Sequence, residues 1–252
     1  MSDLVLTDIT GGIATVTLNR PPQRNAASFE LLEVLDDAVA AIEGDERVRV
    51  MILTGAGPVF CPGLDLQELL VDSEADREAV FRLVRKLSRV GRRINRLPIP
   101  TIACVQGAAI GGGMMLALVT DFTISHAEAK IGYPPAKLNL SPAALSPFLI
   151  RRIGPGRARA MLLKGGAMSG TEALERGLIT HLVNPAAIES VAADLAGELA
   201  QAGRQATIDL KRLMLELDGS LDDEALDRAA DCSARIIAGE EAQEPLKAKR
   251  RC

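Results

Sequence analysis

Residues 101–126 read TIACVQGAAIGGGMMLALVTDFTISH. Thr101 to Gln106 is a short apolar strand, Gly107 to Gly113 a glycine-rich turn, Met114 to Val119 a helix start with no polar residue, and Phe122 to His126 a second strand. A helix that is apolar all round has to be buried. Strand, tight turn, buried helix and strand form a crossover unit, which joins parallel strands and not the neighbours of a hairpin meander. The same order appears upstream. Val48 to Leu53 reads as a buried strand, Thr54 to Gly63 as a Gly/Pro-rich loop, and Leu64 to Leu70 as a short helix. Two such units in succession make the chain α/β.

Towards the N-terminus, Val5 to Ile9 and Ile13 to Leu18 flank Gly11-Gly12 and predict an opening β-hairpin. Asn19 to Ala27 is a loop. Ser28 then caps a helix whose apolar positions Leu31, Leu35, Val39 and Ile42 recur at helical spacing and which ends at Gly44. From Asp76 to Arg96, Val80, Leu83, Val84, Leu87, Val90 and Ile94 form one stripe, with many arginines on the other face. That face is expected to be solvated, the alternative being a dock for an acidic ligand tail. Pro98 and Pro100 stop the helix.

Towards the C-terminus, Tyr133 to Pro147 holds four prolines and little periodicity, as in loops that line sites. Ser169-Gly-Thr-Glu172 has capping-box spacing and opens a helix that stops at Gly177. Ile188 to Ala202, Thr207 to Leu217 and Leu221 to Ala238 are helical, so the last third is expected to be all helical. No linker-like composition sets it apart.

The 252 residues comprise 48% hydrophobic and 25% charged residues, which excludes a disordered or collagen-like chain. A net charge of -4 gives no support to nucleic-acid binding. With no Trp, one Tyr and five Phe, base-stacking platforms and aromatic cages are also excluded. Cys61, Cys104, Cys232 and Cys252 are scattered, and none shares metal-ligand spacing with another Cys or with His126 or His181. A reduced, cytoplasmic chain without a metal is expected. No run approaches the roughly 18 apolar residues of a membrane span, so no membrane partner is expected.

The chemistry resides in two turns, Phe60-Cys-Pro-Gly-Leu-Asp65 and Gly107-Ala-Ala-Ile-Gly-Gly-Gly113. Each places backbone N–H groups between a strand end and a helix start, where they have no intrahelical acceptor and can bind a developing oxyanion. Neither turn fits GxGxxG or GxxxxGK[ST], so neither is expected to cradle a nucleotide phosphate.

Taken together, these residues resemble the crotonase superfamily, also called the enoyl-CoA hydratase/isomerase family. The resemblance covers nearly the whole chain. Besides the two turns it includes Leu18-Asn-Arg-Pro21 with Arg24-Asn-Ala26, Val50 to Gly55, Pro98-Ile-Pro100, Leu116-Ala-Leu118 with Asp121, AMSGTEALERGL at 167–178, and Lys249-Arg250. It implies an α/β crotonase-like spiral of βββα units over 1–185, with a C-terminal helical region, 186–252, packing on the core or on a neighbouring subunit. It also implies homotrimers or homohexamers, and acyl-CoA or enoyl-CoA thioesters as ligands, CoA entering with the substrate and not as a separate cofactor. The implied oxyanion hole is the backbone N–H of Leu64 and Gly112. The implied substrate-binding residues are Arg24, Ala26, Pro62, Gly63, Asp65, Leu66, Gly111, Met115 and Pro135.

The resemblance breaks at the acid/base positions. Hydratases of the family hold water between two glutamates; the matching positions here are Met115 and Pro135, and the position used by some isomerases is Ala143. Methionine and proline cannot transfer a proton. Polar residues near these positions include Lys137, Asn139, Ser141 and Ser146, and Tyr133 and Glu68 are the candidates for acid or base. The leading expectation is an enzyme that stabilises an enolate-type thioester intermediate with altered or substrate-supplied acid/base groups. The alternatives are a non-catalytic acyl-CoA-binding protein and a divergent reaction such as thioester hydrolysis, decarboxylation or retro-aldol cleavage.

Overall fold

The N-terminal hairpin forms from β1 (Val5–Thr10) and β2 (Ile13–Leu18), paired antiparallel with Thr10 opposite Ile13. The computed structural model describes residues 3–133 and 139–250. Ser28 caps α1 (Phe29–Gly44) by accepting the Leu31 N–H. The chain returns as β3 (Val50–Gly55), parallel to β2. One 3-10 turn, Leu66–Leu69, stands where a short helix is expected, and α2 (Glu74–Arg96) follows. Pro98 and Pro100 separate α2 from β4 (Thr101–Val105).

The glycine-rich turn contains a strand that period-two patterning does not reveal, β5 (Ala108–Ile110), before the buried α3 (Gly112–Leu118). Then come β6 (Phe122–Ser125) and β7 (Lys130–Tyr133). After the loop, α4 (Ser146–Ile153) starts two residues earlier than expected, with Pro147 in its first turn, where a missing N–H costs nothing. Then follow α5 (Pro155–Lys164), β8 (Gly166–Ser169), α6 (Gly170–Glu175) and β9 (His181–Leu182). The final third is therefore not wholly helical, because β9 adds to β6. Four helices complete the chain: α7 (Ile188–Ala200), α8 (Arg204–Leu217), α9 (Asp223–Ile237) and α10 (Glu240–Arg250).

Two sheets organise these elements. The larger has the order β1-β2-β3-β4-β6-β9 and is parallel except for the first pair; the smaller is β5-β7-β8. Each successive turn of the chain gives one strand to the large sheet and then an extended segment to the small one, which is a spiral of βββα units. Both faces of the large sheet are covered at its centre, which is why β3 and β4 carry the apolar runs 50–53 and 102–105. One face packs on α1, α2 and α3 through Leu18, Leu31, Leu53, Leu83 and Met114. On the other, Ala192 and Ala196 of α7 meet Val50, Ile102 and Ile124. Among the described residues no helix is long and apolar enough to cross a membrane.

Candidate active site

The small sheet brings the two glycine-rich turns together. Ala27 bridges to Leu64, its N–H donating to Gly63 O at 2.8 Å while Asp65 N–H donates to Ala27 O at 3.0 Å. Cys61 bridges in turn to Ala109 of β5, with Cys61 N–H to Ala108 O at 3.0 Å and Ile110 N–H to Cys61 O at 3.1 Å. Gly111 N–H then donates to Gly132 O at 2.9 Å, which seats Tyr133 of β7 beside the start of α3. Gly63 makes the close approach possible. It lies at φ +109, and a Cβ there would stand 2.9 Å from Ile110 O and 3.5 Å from Gly112 N. A Cβ on Gly112 would likewise stand 3.6 Å from Leu64 N. The amides of Leu64 and Gly112 thus flank one small space. Neither has an acceptor among the described residues.

That space opens on a cavity of about 100 Å³. Its walls come from Pro62–Leu64 and Leu66, Val84 and Leu87 of α2, Gly111, Gly112 and Met115, Tyr133, the segment from Leu140 to Leu145, and Ser233 and Ile237 of α9. Among these residues there is no carboxylate, imidazole or ammonium group. Tyr133 is 7% exposed, and its hydroxyl has no hydrogen-bond partner among the described residues. Burial pushes its pKa up, so the phenol stays protonated. Burial also pushes the nearby Cys61 thiol up to about 12, so no thiolate is available as a nucleophile.

The profile of the family described as Enoyl-CoA hydratase/isomerase matches residues 8–250. The chain belongs to the enoyl-CoA hydratase/isomerase family. It is 35% identical over 203 residues to the 1,2-epoxyphenylacetyl-CoA isomerase of Escherichia coli, covering 79% of this chain and 77% of the relative. It is 38% identical over 200 residues to an enoyl-CoA isomerase/hydratase of Mycosarcoma maydis, covering 75% and 70%. Among solved structures, an enoyl-CoA hydratase/isomerase of Xanthobacter autotrophicus Py2 superposes with a TM-score of 0.88 at 29% identity, over 100% of this chain and 94% of the other.

The site residues expected from the sequence do not all meet in one place. Pro62, Gly63, Leu64, Leu66, Gly111, Gly112, Met115 and Tyr133 all line the cavity. Asp65 sits beside them, tied to Arg20 at 2.6 Å and accepting the Gln67 N–H at 3.0 Å. Arg24 and Ala26 belong to the loop before α1. Arg24 is exposed, at φ 54, and has no ion pair among the described residues. Glu68 faces a separate cavity with Phe29 and Arg82, and its Oε2 accepts the Phe29 N–H at 2.8 Å at the start of α1. Burial, the largest influence, raises its pKa. Pro135 and Lys137 lie outside the described residues. Ser141 lines the cavity, whereas Asn139 donates to Glu241 O at 2.8 Å and Ser146 to Ala143 O at 2.7 Å.

Some residues that shape the site in this hydratase/isomerase chain are not evident from its motifs. Asn25, fully buried at φ 64, donates to Ala56 O and Val59 O and accepts the Arg20 N–H, which pins the Arg24–Ala26 loop to the first glycine turn. Ser233 and Ile237 reach the cavity because α9 docks on α2. Arg85 pairs with Asp231 at 2.6 Å, Arg92 with Asp227 and Asp223 at 2.8 Å, and Arg96 with Asp223 at 2.8 Å. The arginine face expected to be solvated is therefore in part a dock, and what it holds is the chain's own acidic helix. The readable signal was charge at matching helical spacing: aspartates at 223, 227 and 231 against arginines at 85, 92 and 96.

Proposed function

We propose that this family member acts on a short acyl-CoA thioester and stabilises an enolate-type intermediate with two backbone donors, Leu64 N–H and Gly112 N–H. The observation that carries the reading is the pair of amides, without acceptors among the described residues, flanking one space in an apolar cavity. Negative charge that develops on a thioester oxygen between them gains two hydrogen bonds in a site walled mainly by apolar side chains. A cavity of about 100 Å³ is smaller than the roughly 150 Å³ that accommodates benzene, so the acyl group is short. Arg24, exposed and without an ion pair among the described residues, suits a CoA phosphate, and the backbone of Pro62–Leu66 suits its pantetheine arm.

Acid and base in this reading come with the substrate. Met115 stands where hydratases carry one glutamate, and Pro135 where they carry the other. An enolate can be reached without a protein base when the substrate's own carboxylate leaves as carbon dioxide, the electron pair of the broken C–C bond passing to the enolate. Assembly into trimers or hexamers is part of the proposal, supported by the exposed row Leu210, Leu213, Met214 and Leu217 on α8. A reducing, cytoplasmic setting suits the free thiols of Cys61, Cys104 and Cys232.

The test is product analysis on purified protein with crotonyl-CoA and with methylmalonyl-CoA, following enoyl absorbance, free thiol and carbon dioxide, and comparing wild type with Gly112→Pro. Loss of one donor is expected to lower turnover by about 10²–10³-fold. Unchanged turnover in a variant with native circular dichroism would remove Gly112 from the mechanism. The lack of a side-chain acid or base in the cavity, among the described residues, favours a second reading: an acyl-CoA-binding protein without turnover. It predicts a raised melting temperature in butyryl-CoA and no product from either thioester.

A further inference from the structure

We infer that Arg20 is a positioning residue: its guanidinium, clamped on Asp65 and on Ala26 O, keeps the peptide between Gly63 and Leu64 turned so that Leu64 N–H faces the same space as Gly112 N–H. The inference rests on the acyl-CoA reading above and deepens it.

Backbone pairing sets the direction of that peptide. Ala27 N–H donates to Gly63 O at 2.8 Å and Asp65 N–H to Ala27 O at 3.0 Å. The peptide is trans, so Gly63 O and Leu64 N–H point opposite ways, and a carbonyl held on Ala27 sends the amide towards Gly112. The pairing is short, one bridge with a bond on either side. It also hinges on Gly63, whose φ of +109 lies in a region open to glycine, so the 63–64 peptide can turn over and present its carbonyl oxygen to the site in place of the N–H. A second restraint is therefore needed beside the bridge.

Arg20 supplies it. Its Nη1 donates to Asp65 Oδ2 at 2.6 Å and to Ala26 O at 3.1 Å, and so ties the residue after Leu64 to the residue before Ala27. The other Asp65 oxygen accepts the Gln67 N–H at 3.0 Å, which holds the carboxylate from its far side. The base of the Arg20 side chain is fixed as well: Arg20 N–H donates to Asn25 Oδ1 and Asn25 N–H to Arg20 O, both at 2.9 Å. The Arg20 and Asp65 side chains are only 22% and 14% exposed, against 60% and 43% for Arg85 and Asp231, so solvent screens this pair far less. Neither Arg20 nor Asp65 lines the cavity, so the pair acts through Leu64 and not on the acyl group.

The experiment uses acetoacetyl-CoA, whose keto and enolate forms differ in near-ultraviolet absorption, bound at saturation to wild type, Arg20→Met and Arg20→Lys at one pH, with melting temperature and butyryl-CoA affinity measured alongside. Wild type is expected to raise the enolate-to-keto ratio above that of the free thioester. Arg20→Met should lower the bound ratio about tenfold, and Arg20→Lys, which keeps a cation on Asp65, should recover most of it. A residue that only held the loop would change melting temperature or affinity and leave the ratio at saturation alone. A wild-type ratio in Arg20→Met overturns the inference. If that variant does not fold, Asp65→Asn decides in the same way, since it retains an oxygen for the Gln67 N–H and removes the charge that Arg20 holds. If wild type binds neither thioester, or binds acetoacetyl-CoA without raising the ratio, the acyl-CoA reading falls and takes the inference with it; if wild type raises the ratio and Arg20→Met does the same, only the role of Arg20 falls.

Discussion

Met115 fills its position with the help of a residue on another helix. A Cβ on Gly91 of α2 would stand 2.9 Å from Met115 Cε and 3.9 Å from its sulfur, so the thioether lies over the bare backbone of α2 while its residue still borders the cavity. Gly91→Ala is expected to push that flexible end towards the acyl space. Because a flexible thioether end can move and alanine favours the helix, the change in chemical denaturation is expected to stay within about 1 kcal/mol, with weaker acyl-CoA binding. Combining it with Met115→Leu should recover part of the binding loss, since residues in contact are not additive; full additivity in the double-mutant cycle would show that the two do not communicate. At this scale the motifs were legible. The family resemblance of the two glycine-rich turns implies Leu64, Gly112 and Met115 at one site, and all three border one cavity. Gly91 was not legible, because a helix-interior glycine gives no local sign of what approaches it.

The helix α9 is held to α2 by an antiparallel ladder of Arg85, Arg92 and Arg96 on Asp231, Asp227 and Asp223, and it carries Ser233 and Ile237 to the cavity. Gln243 of α10 secures the far end, donating to Leu69 O at 2.7 Å and Ile237 O at 2.8 Å and accepting the Val71 N–H at 2.8 Å. Individual exposed pairs contribute about 0.2–1 kcal/mol, so Asp223→Asn with Asp227→Asn and Asp231→Asn is expected to cost roughly 1–3 kcal/mol and to weaken acyl-CoA binding. Hydrogen bonds from Arg92 and Arg96 hold the Asp223 carboxyl below its ordinary value of 3.8, and one from Arg85 does the same for Asp231. A depressed carboxylate stabilises fully above its unfolded pKa and loses that contribution as pH falls through the folded one. Urea titrations should therefore separate wild type from the triple variant near neutrality and bring them together as the pH falls below the depressed carboxylate values; an unchanged gap would mean that the ladder stabilises by packing alone. The small strands β5, β7, β8 and β9 lie at the opposite limit of legibility. Runs of two to four residues, several with glycine, are too short to show alternation, and only the neighbouring turns of the spiral make them strands.

For the whole molecule, the spiral explains why distant motifs converge. Residues 27, 61–64, 108–112 and 130–133 stack through the small sheet, so each turn of the chain lays one more edge against the site. The order of elements carries this in the sequence, but the stacking itself follows only from long-range pairing. The unburied side of α8 belongs to the same scale. Leu210, Leu213, Met214 and Leu217 recur at helical spacing, and Leu217 is 78% exposed. An apolar face of that kind suits an interface between subunits. Leu213→Arg with Leu217→Arg is expected to shift the sedimenting species to monomer, with a folding cost within about 0.5 kcal/mol because neither side chain is buried within the chain; an unaltered oligomer would place the contact on another face. One compositional fact gains a use once the fold is known. The chain has no tryptophan and a single tyrosine, and that tyrosine borders the cavity. Its phenol absorption and tyrosine emission then come from one ring at one place. Occupancy of the site is accordingly open to direct optical reading on the unlabelled protein, without the background that tryptophan or a second tyrosine would add.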